Sequence, residues 1–62
     1  MMGAKIRRIR RADPRELNLC HTADAAGVSV SHMSDFERGV KKLTPAQLYK
    51  LLKFLNAEYL LN

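Results

Sequence analysis

The side chains able to do chemistry in this chain are few, and most of them are short. Cys20, His21 and His32 are the soft metal ligands, and they lack the paired spacing from which a zinc site is built. Ser29, Ser31 and Ser34 surround His32, but an activated serine also needs oxyanion donors from a second element, and one short helix supplies none. Gly3, Gly27 and Gly39 form no phosphate-cradling loop. No enzyme activity, metal or cofactor is therefore expected, and Cys20 reads as a small buried apolar residue. The stretch from Thr22 to Gly39 carries a different chemistry. Val30, Ser31, His32, Ser34 and Asp35 place short side chains on one face, and Arg38, Lys41 and Lys42 follow with positive charge. That combination suits hydrogen bonding at close approach to a polyanion.

Two short helices joined by a tight turn must position that face. The first is expected over about 19–26, ending on Ala25 and Ala26, where Gly27 supplies a left-handed residue without a Cβ penalty. Val28 then points inward, and Ser29 caps a third helix over about 30–37, with Met33 and Phe36 one turn apart toward the core and Gly39 closing it. Upstream, GAKIRRIRRA predicts helix 1 over about 4–12. Met2, Ile6 and Ile9 fall at helical spacing, surrounded by Lys5, Arg7, Arg8, Arg10 and Arg11. So narrow an apolar stripe fits a core-facing helix better than one lying in a membrane interface.

Asp13 and Pro14 interrupt the pattern. Either a short turn from Pro14 to Leu17 precedes a helix capped by Asn18, or one longer helix runs from Pro14 to Ala26. The first is preferred, because Asn18 is a good cap and Leu17 before it can act as a hydrophobic staple. Ala23 and Ala26 give little bulk, so a close helix crossing is expected there. Thr44, Pro45 and Gln47 form a helix-start signature for a fourth helix over about 45–55, with Leu48, Leu51, Leu52 and Leu55 inward and Asn56 as a left-handed cap. A last short helix over about 57–61 carries Tyr59, Leu60 and Leu61, which it cannot bury by itself; it folds back on the core or meets another subunit. The prediction is an all-α bundle of about five short helices, with no internal repeat and no strand-period alternation.

The totals agree with one small domain. A chain of 62 residues spans a single domain, 1–62, and buries only about 60% of its unfolded surface. With 47% hydrophobic and 27% charged residues it is too apolar for a disordered tail. Eleven Lys and Arg against six Asp and Glu give a net charge of +5, which fits a polyanionic partner. One cysteine allows no internal disulfide, no apolar run nears the roughly 18 residues of a membrane span, and the N-terminal stretch lacks a signal-peptide apolar region. A cytoplasmic protein without membrane contact is expected.

These residues together resemble the Cro and phage-repressor type, or Xre-like, helix-turn-helix DNA-binding domain, over roughly Gly3 to Leu61. Gly3, Ile6, Arg7, Ile9 and Arg10 look like its opening helix. Ala23, Gly27, Val28, Ser29, Met33, Phe36, Glu37 and Gly39 match its central motif, and Leu48, Leu51 and Leu55 its fourth helix. The resemblance implies a lambda-repressor-like fold whose third helix lies in the major groove. It makes Val30, Ser31, His32 and Asp35 base-facing, and Asn18, Ser29, Ser34, Arg38, Lys41 and Lys42 contacts to the DNA backbone. Arg10 and Glu37 are implied to form a structural ion pair tying helix 1 to the end of helix 3. Leu19 departs from the pattern, since the family usually has glutamine there. The link between helices 1 and 2 is about two residues longer than usual, and the link before the C-terminal segment about two shorter. Arg7, Arg8 and Arg11 are either a solvated face or flank the DNA.

Two functions follow as expectations. The first is a sequence-specific regulator binding double-stranded DNA as a homodimer on an inverted repeat, with Tyr59, Leu60 and Leu61 at the dimer interface and polymerase or a cognate toxin as a possible protein partner. The alternative is a protein-interaction module, antitoxin-like, that keeps the helical fold; Asp35 and the apolar Leu19 favour it.

Overall fold

The computed structural model describes residues 2–61; Met1 and Asn62, the ends of the domain expected over 1–62, lie outside the described residues. Four α-helices and one 3-10 turn follow in order: α1 over Met2–Ala12, α2 over Leu19–Ala26, α3 over Val30–Glu37, α4 over Pro45–Phe54, and the turn over Glu58–Leu61. Among the described residues there is no strand, so the fold is all-α. Helix α1 starts at Met2, earlier than the expected 4–12, and α4 ends at Phe54 with Leu55 as its cap.

The helices start and stop where local chemistry requires. Asn18 accepts from the His21 N–H at 3.1 Å while His21 Nδ1 accepts from the Asn18 N–H at 3.1 Å, a capping box in which histidine does the work usually given to Glu or Gln. Thr44 and Gln47 close the corresponding box at α4, with Pro45 in its first turn. The ends of α2, α3 and α4 share one device: a left-handed residue, Gly27, Gly39 or Asn56, followed by a residue whose N–H reaches back to a carbonyl five positions earlier. These bonds are Val28 N–H to Ala23 O at 3.0 Å, Val40 N–H to Asp35 O at 2.8 Å and Ala57 N–H to Leu52 O at 2.8 Å.

Asp13, Pro14 and Glu16 begin no helix. The Glu16 N–H bonds to Asp13 O at 3.1 Å and Glu16 takes φ 56°, so these residues form a turn and α2 starts at Leu19. Arg15 pins this turn, bonding both Asp13 oxygens and Phe54 O at 3.1 Å, with its guanidinium 4.7 Å from the centre of the Phe54 ring.

Ile6, Leu17, Ala23, Ala26, Met33, Phe36, Leu51, Leu52, Leu55 and Ala57 make the core, and Met2, Ile9, Leu19, Val28, Leu43, Leu48, Phe54 and Leu60 pack around it. Ala23 and Ala26 are buried where α2 packs on α3 and α4, because the absence of bulk lets the helices approach. Cys20 is exposed, contrary to the sequence reading. On α2 the inward positions are Leu19, Thr22, Ala23 and Ala26, and Cys20 falls off that face. Gly3 marks the crossing of α1 with α3. A Cβ there would lie 2.1 Å from Phe36 O and 3.1 Å from Glu37 Cα, so only glycine fits.

Candidate nucleic-acid interface

Helix α3 turns Met33, Phe36 and Glu37 into the molecule and leaves the opposite side to solvent. Ser29 caps it, accepting from the His32 N–H at 3.1 Å, and thereby fixes the direction in which the first turn projects. Val30 and Ser31 are exposed in that turn; Ser34, half-buried, continues the same face one turn on. The Ser31 hydroxyl is a donor and an acceptor, and Val30, 43% exposed, offers two methyl groups. These two short side chains are exposed at the start of a helix, a shape suited to a groove.

The other two residues expected on this face are engaged within the chain. His32 Nε2 lies 3.0 Å from Lys42 O, so the ring braces the loop that follows α3. The Asp35 carboxylate accepts from Arg38 Nη2 at 2.5 Å and stands 3.7 Å from Lys41 Nζ. Arg38's hydrogen bond, with added attraction from Arg38 and Lys41, holds the Asp35 carboxyl below its ordinary value. Arg38 and Lys41 thus offset much of the repulsion that a lone Asp35 carboxylate would offer a phosphate. Asp35 also gathers Arg38 and Lys41 against the end of α3, helped by its backbone carbonyl, which accepts from the Val40 and Lys41 N–H groups. The Asp35–Arg38 spacing of three residues is a helix-neighbour pair legible from sequence; the reach of His32 to Lys42 is not.

Around this face stand the groups able to meet a phosphate. Arg38, Lys41 and Lys42 are exposed on the loop after α3. Asn18 is exposed at the start of α2, where the helix dipole also favours an anion. Leu19, beside it, is half-buried against the core and contributes packing where a polar residue would contribute contact.

The face keeps its place because α3 is anchored from behind. Arg10 donates from Nε to Glu37 Oε2 at 2.8 Å and from Nη2 to Glu37 Oε1 at 3.0 Å, a two-pronged pair. Its Nη1 donates to Leu17 O at 3.2 Å, so one guanidinium joins α1, α3 and the chain entering α2. Glu37 raises the Arg10 pKa further through this hydrogen bond, against the opposing effect of partial burial. Among the described residues no buried side-chain nitrogen or oxygen lacks a partner, and no group of histidine, cysteine or carboxylate side chains could hold a metal ion. Among the described residues no helix is long and apolar enough to cross a membrane. At the far end of the chain, Tyr59 and Leu61 are exposed, while Leu60 packs partly against the core.

Residues 22–60 match the sequence model of the family described as helix-turn-helix. That span runs from Thr22, in the first turn of α2, to Leu60 in the 3-10 turn, and takes in the turn between α2 and α3 and the whole of α3 and α4. Comparison with curated proteins and with solved structures gave no match.

Proposed function

The chain belongs to the helix-turn-helix family of the Cro and phage-repressor type, a family of DNA-binding transcription regulators, and on that premise we propose that it reads a specific double-stranded DNA sequence with α3. Val30 and Ser31 face base edges: Ser31 exchanges hydrogen bonds with a base, and Val30 meets a thymine methyl. His32 and Asp35 border the same face. Their internal bonds give them a second role, holding the 38–42 loop so that Arg38, Lys41 and Lys42 reach the backbone. Asn18, Ser29 and Ser34 complete the phosphate contacts. The observation that carries this reading is the exposed first turn of α3, with the exposed cationic loop held to it by the His32–Lys42 contact.

The protein acts in the cytoplasm as a homodimer on an inverted repeat whose half-sites lie about one helical turn apart. Tyr59, Leu60 and Leu61 supply the dimer contact, supported by the exposure of two of them at the end of the bundle. Selection from random duplexes, followed by gel shifts across a salt series, tests the proposal. An enriched palindrome is expected. Lys41→Ala with Lys42→Ala should reduce the slope of log affinity against log salt by about 2, and Ser31→Ala should relax preference at one position of each half-site. No enriched sequence and no salt dependence would leave a protein-binding module as the function.

A further inference from the structure

Helix α1 packs on α3 and α4 packs on α2, while α1 and α4 approach each other less closely. Where they diverge, beside the end of α3, lies a cavity of about 320 Å³. Met2 and Gly3 of α1 line one side, Phe36 another, and Leu43 and Leu48 a third. Leu43 and Leu48 stand just before and one turn after the Thr44 cap, the two positions of a hydrophobic staple, so the start of α4 fixes that wall. Gly3 and Gly39 bring no side chain to fill the space. Three helices and the loop after α3 therefore frame it.

The charges at this cavity have one sign. Lys41 and Lys42 line it, both exposed, and among the described residues no acidic side chain does. Lys41 has Asp35 at 3.7 Å, whereas Lys42 enters no ion pair among the described residues. His32 Nε2, 3.0 Å from Lys42 O, fixes the Lys42 backbone next to the cavity. Met2, Leu43 and Leu48 are only partly buried, so apolar surface facing the cavity still meets water, and covering it is favourable. The volume falls at the small end of ligand pockets, which run from roughly 300 to 1,000 Å³. So few apolar side chains cannot supply the area that a stable protein interface buries.

We infer that this cavity binds a small amphipathic carboxylate. An alkyl or aryl body lies against Met2, Phe36, Leu43 and Leu48, and the carboxylate pairs with the Lys42 and Lys41 ammonium groups at the mouth. An ammonium is a compact charge that takes one carboxylate without a bidentate geometry. Both lysines are assigned above to the DNA backbone, and the regulatory consequence rests on that reading: the ligand and a phosphate compete for the same cations, so the occupied protein releases DNA. The coupling is reciprocal, and DNA weakens the ligand by the same factor.

The test uses the full chain, with octanoate as the alkyl probe, phenylbutanoate as the aryl probe, and acetate and octylammonium as controls. In an NMR titration, one or both acids are expected to shift signals of Met2, Phe36, Leu43 and Leu48 and to leave the exposed Tyr59 and Leu61 unmoved. No shift with either acid overturns the inference. So does an equal response to octylammonium, or a response spread to Tyr59 and Leu61, since any apolar chain would then adsorb. Met2→Trp puts a larger ring into the cavity from the first residue of α1, outside every DNA contact assigned above. It should lose the shifts at Phe36 and Leu48 and still bind DNA as wild type does. On a duplex recovered by the selection described above, saturating octanoate should raise the protein concentration for half-shift by at least about fivefold, the low end of ordinary coupling between sites. Met2→Trp should show no such rise. An equal effect of acetate at matched ionic strength, or an occupied cavity that leaves DNA affinity unchanged, overturns the competition. The two readings fail separately: a protein that shifts no duplex even without octanoate sinks the α3 reading, and the titration alone then decides whether the cavity takes the acid.

Discussion

Replacing Arg10 by alanine should remove most of the stability of this domain. The guanidinium makes two bonds to Glu37 and one to Leu17 O, and the Glu37 side chain is only 5% exposed. After truncation the carboxylate would remain out of water with no cation facing it, which costs about 3–5 kcal/mol. A chain of this length holds about 3–9 kcal/mol in all, at roughly 0.05–0.15 kcal/mol per residue. Glu37→Ala should cost less, because the Arg10 side chain, 12% exposed, can carry its charge toward solvent on a long stem. Arg10→Met combined with Glu37→Leu removes both charges while keeping volume, and should be more stable than either single truncation. Urea unfolding followed by far-ultraviolet circular dichroism of wild type, Arg10→Met, Glu37→Leu and the double gives the coupling between the two positions. A cost below about 1 kcal/mol for Arg10→Ala, as exposed pairs show, or strict additivity in the cycle, would refute the reasoning.

Two further outcomes follow from the same structure. Gly3→Ala should lower stability by about 1–3 kcal/mol, because the new Cβ meets the backbone of Phe36 and Glu37 and must push α1 off α3. At an unhindered helix position the same change stabilises by about 1 kcal/mol, so a rise in melting temperature would show that the crossing is looser than described. Arg15's side-chain hydrogen bond, followed by its backbone N–H, draws the Asp13 carboxyl from 3.8 down to about 2. A group depressed on folding adds stability that is complete above its unfolded value and disappears as pH falls through its folded value. The gap in melting temperature between wild type and Asp13→Asn should therefore close as pH drops from 3.8 to about 2; a gap that stays constant there would exclude the pair as its source.

Much of the positioning was open to a reader of the sequence because it depends on neighbours in the chain. Gly27, Ser29, Thr44, Pro45 and Gln47 act within a turn or two of themselves, and a helix end is decided by which nearby groups satisfy its free N–H and C=O groups. The choice at Asp13–Leu17 was harder, since the same residues can cap a helix or close a turn. Arg15 settles it by reaching Phe54, 39 residues away. Cys20 was misplaced for a related reason: the helical period identifies which residues share a face, but with so few apolar residues on α2 the inward side is set by where α3 and α4 pack.

The sequence by itself determined the all-α class, the order of the helices, the helix-turn-helix signature and the cationic balance, because periodicity, caps and charge are local or additive properties. Tertiary structure decided which polar residues are spent inside the molecule and which are left for a partner. Asp35 holds Arg38 and Lys41, His32 holds the Lys42 carbonyl, and Gly3 is required by a backbone that passes 33 residues further along the chain. The same packing sorts the cations, leaving Arg10 inside with Glu37 and Arg7, Arg8 and Arg11 outside. A hydrogen bond or an ion pair depends on distances of a few ångströms between residues far apart in sequence, and only the folded chain sets those distances.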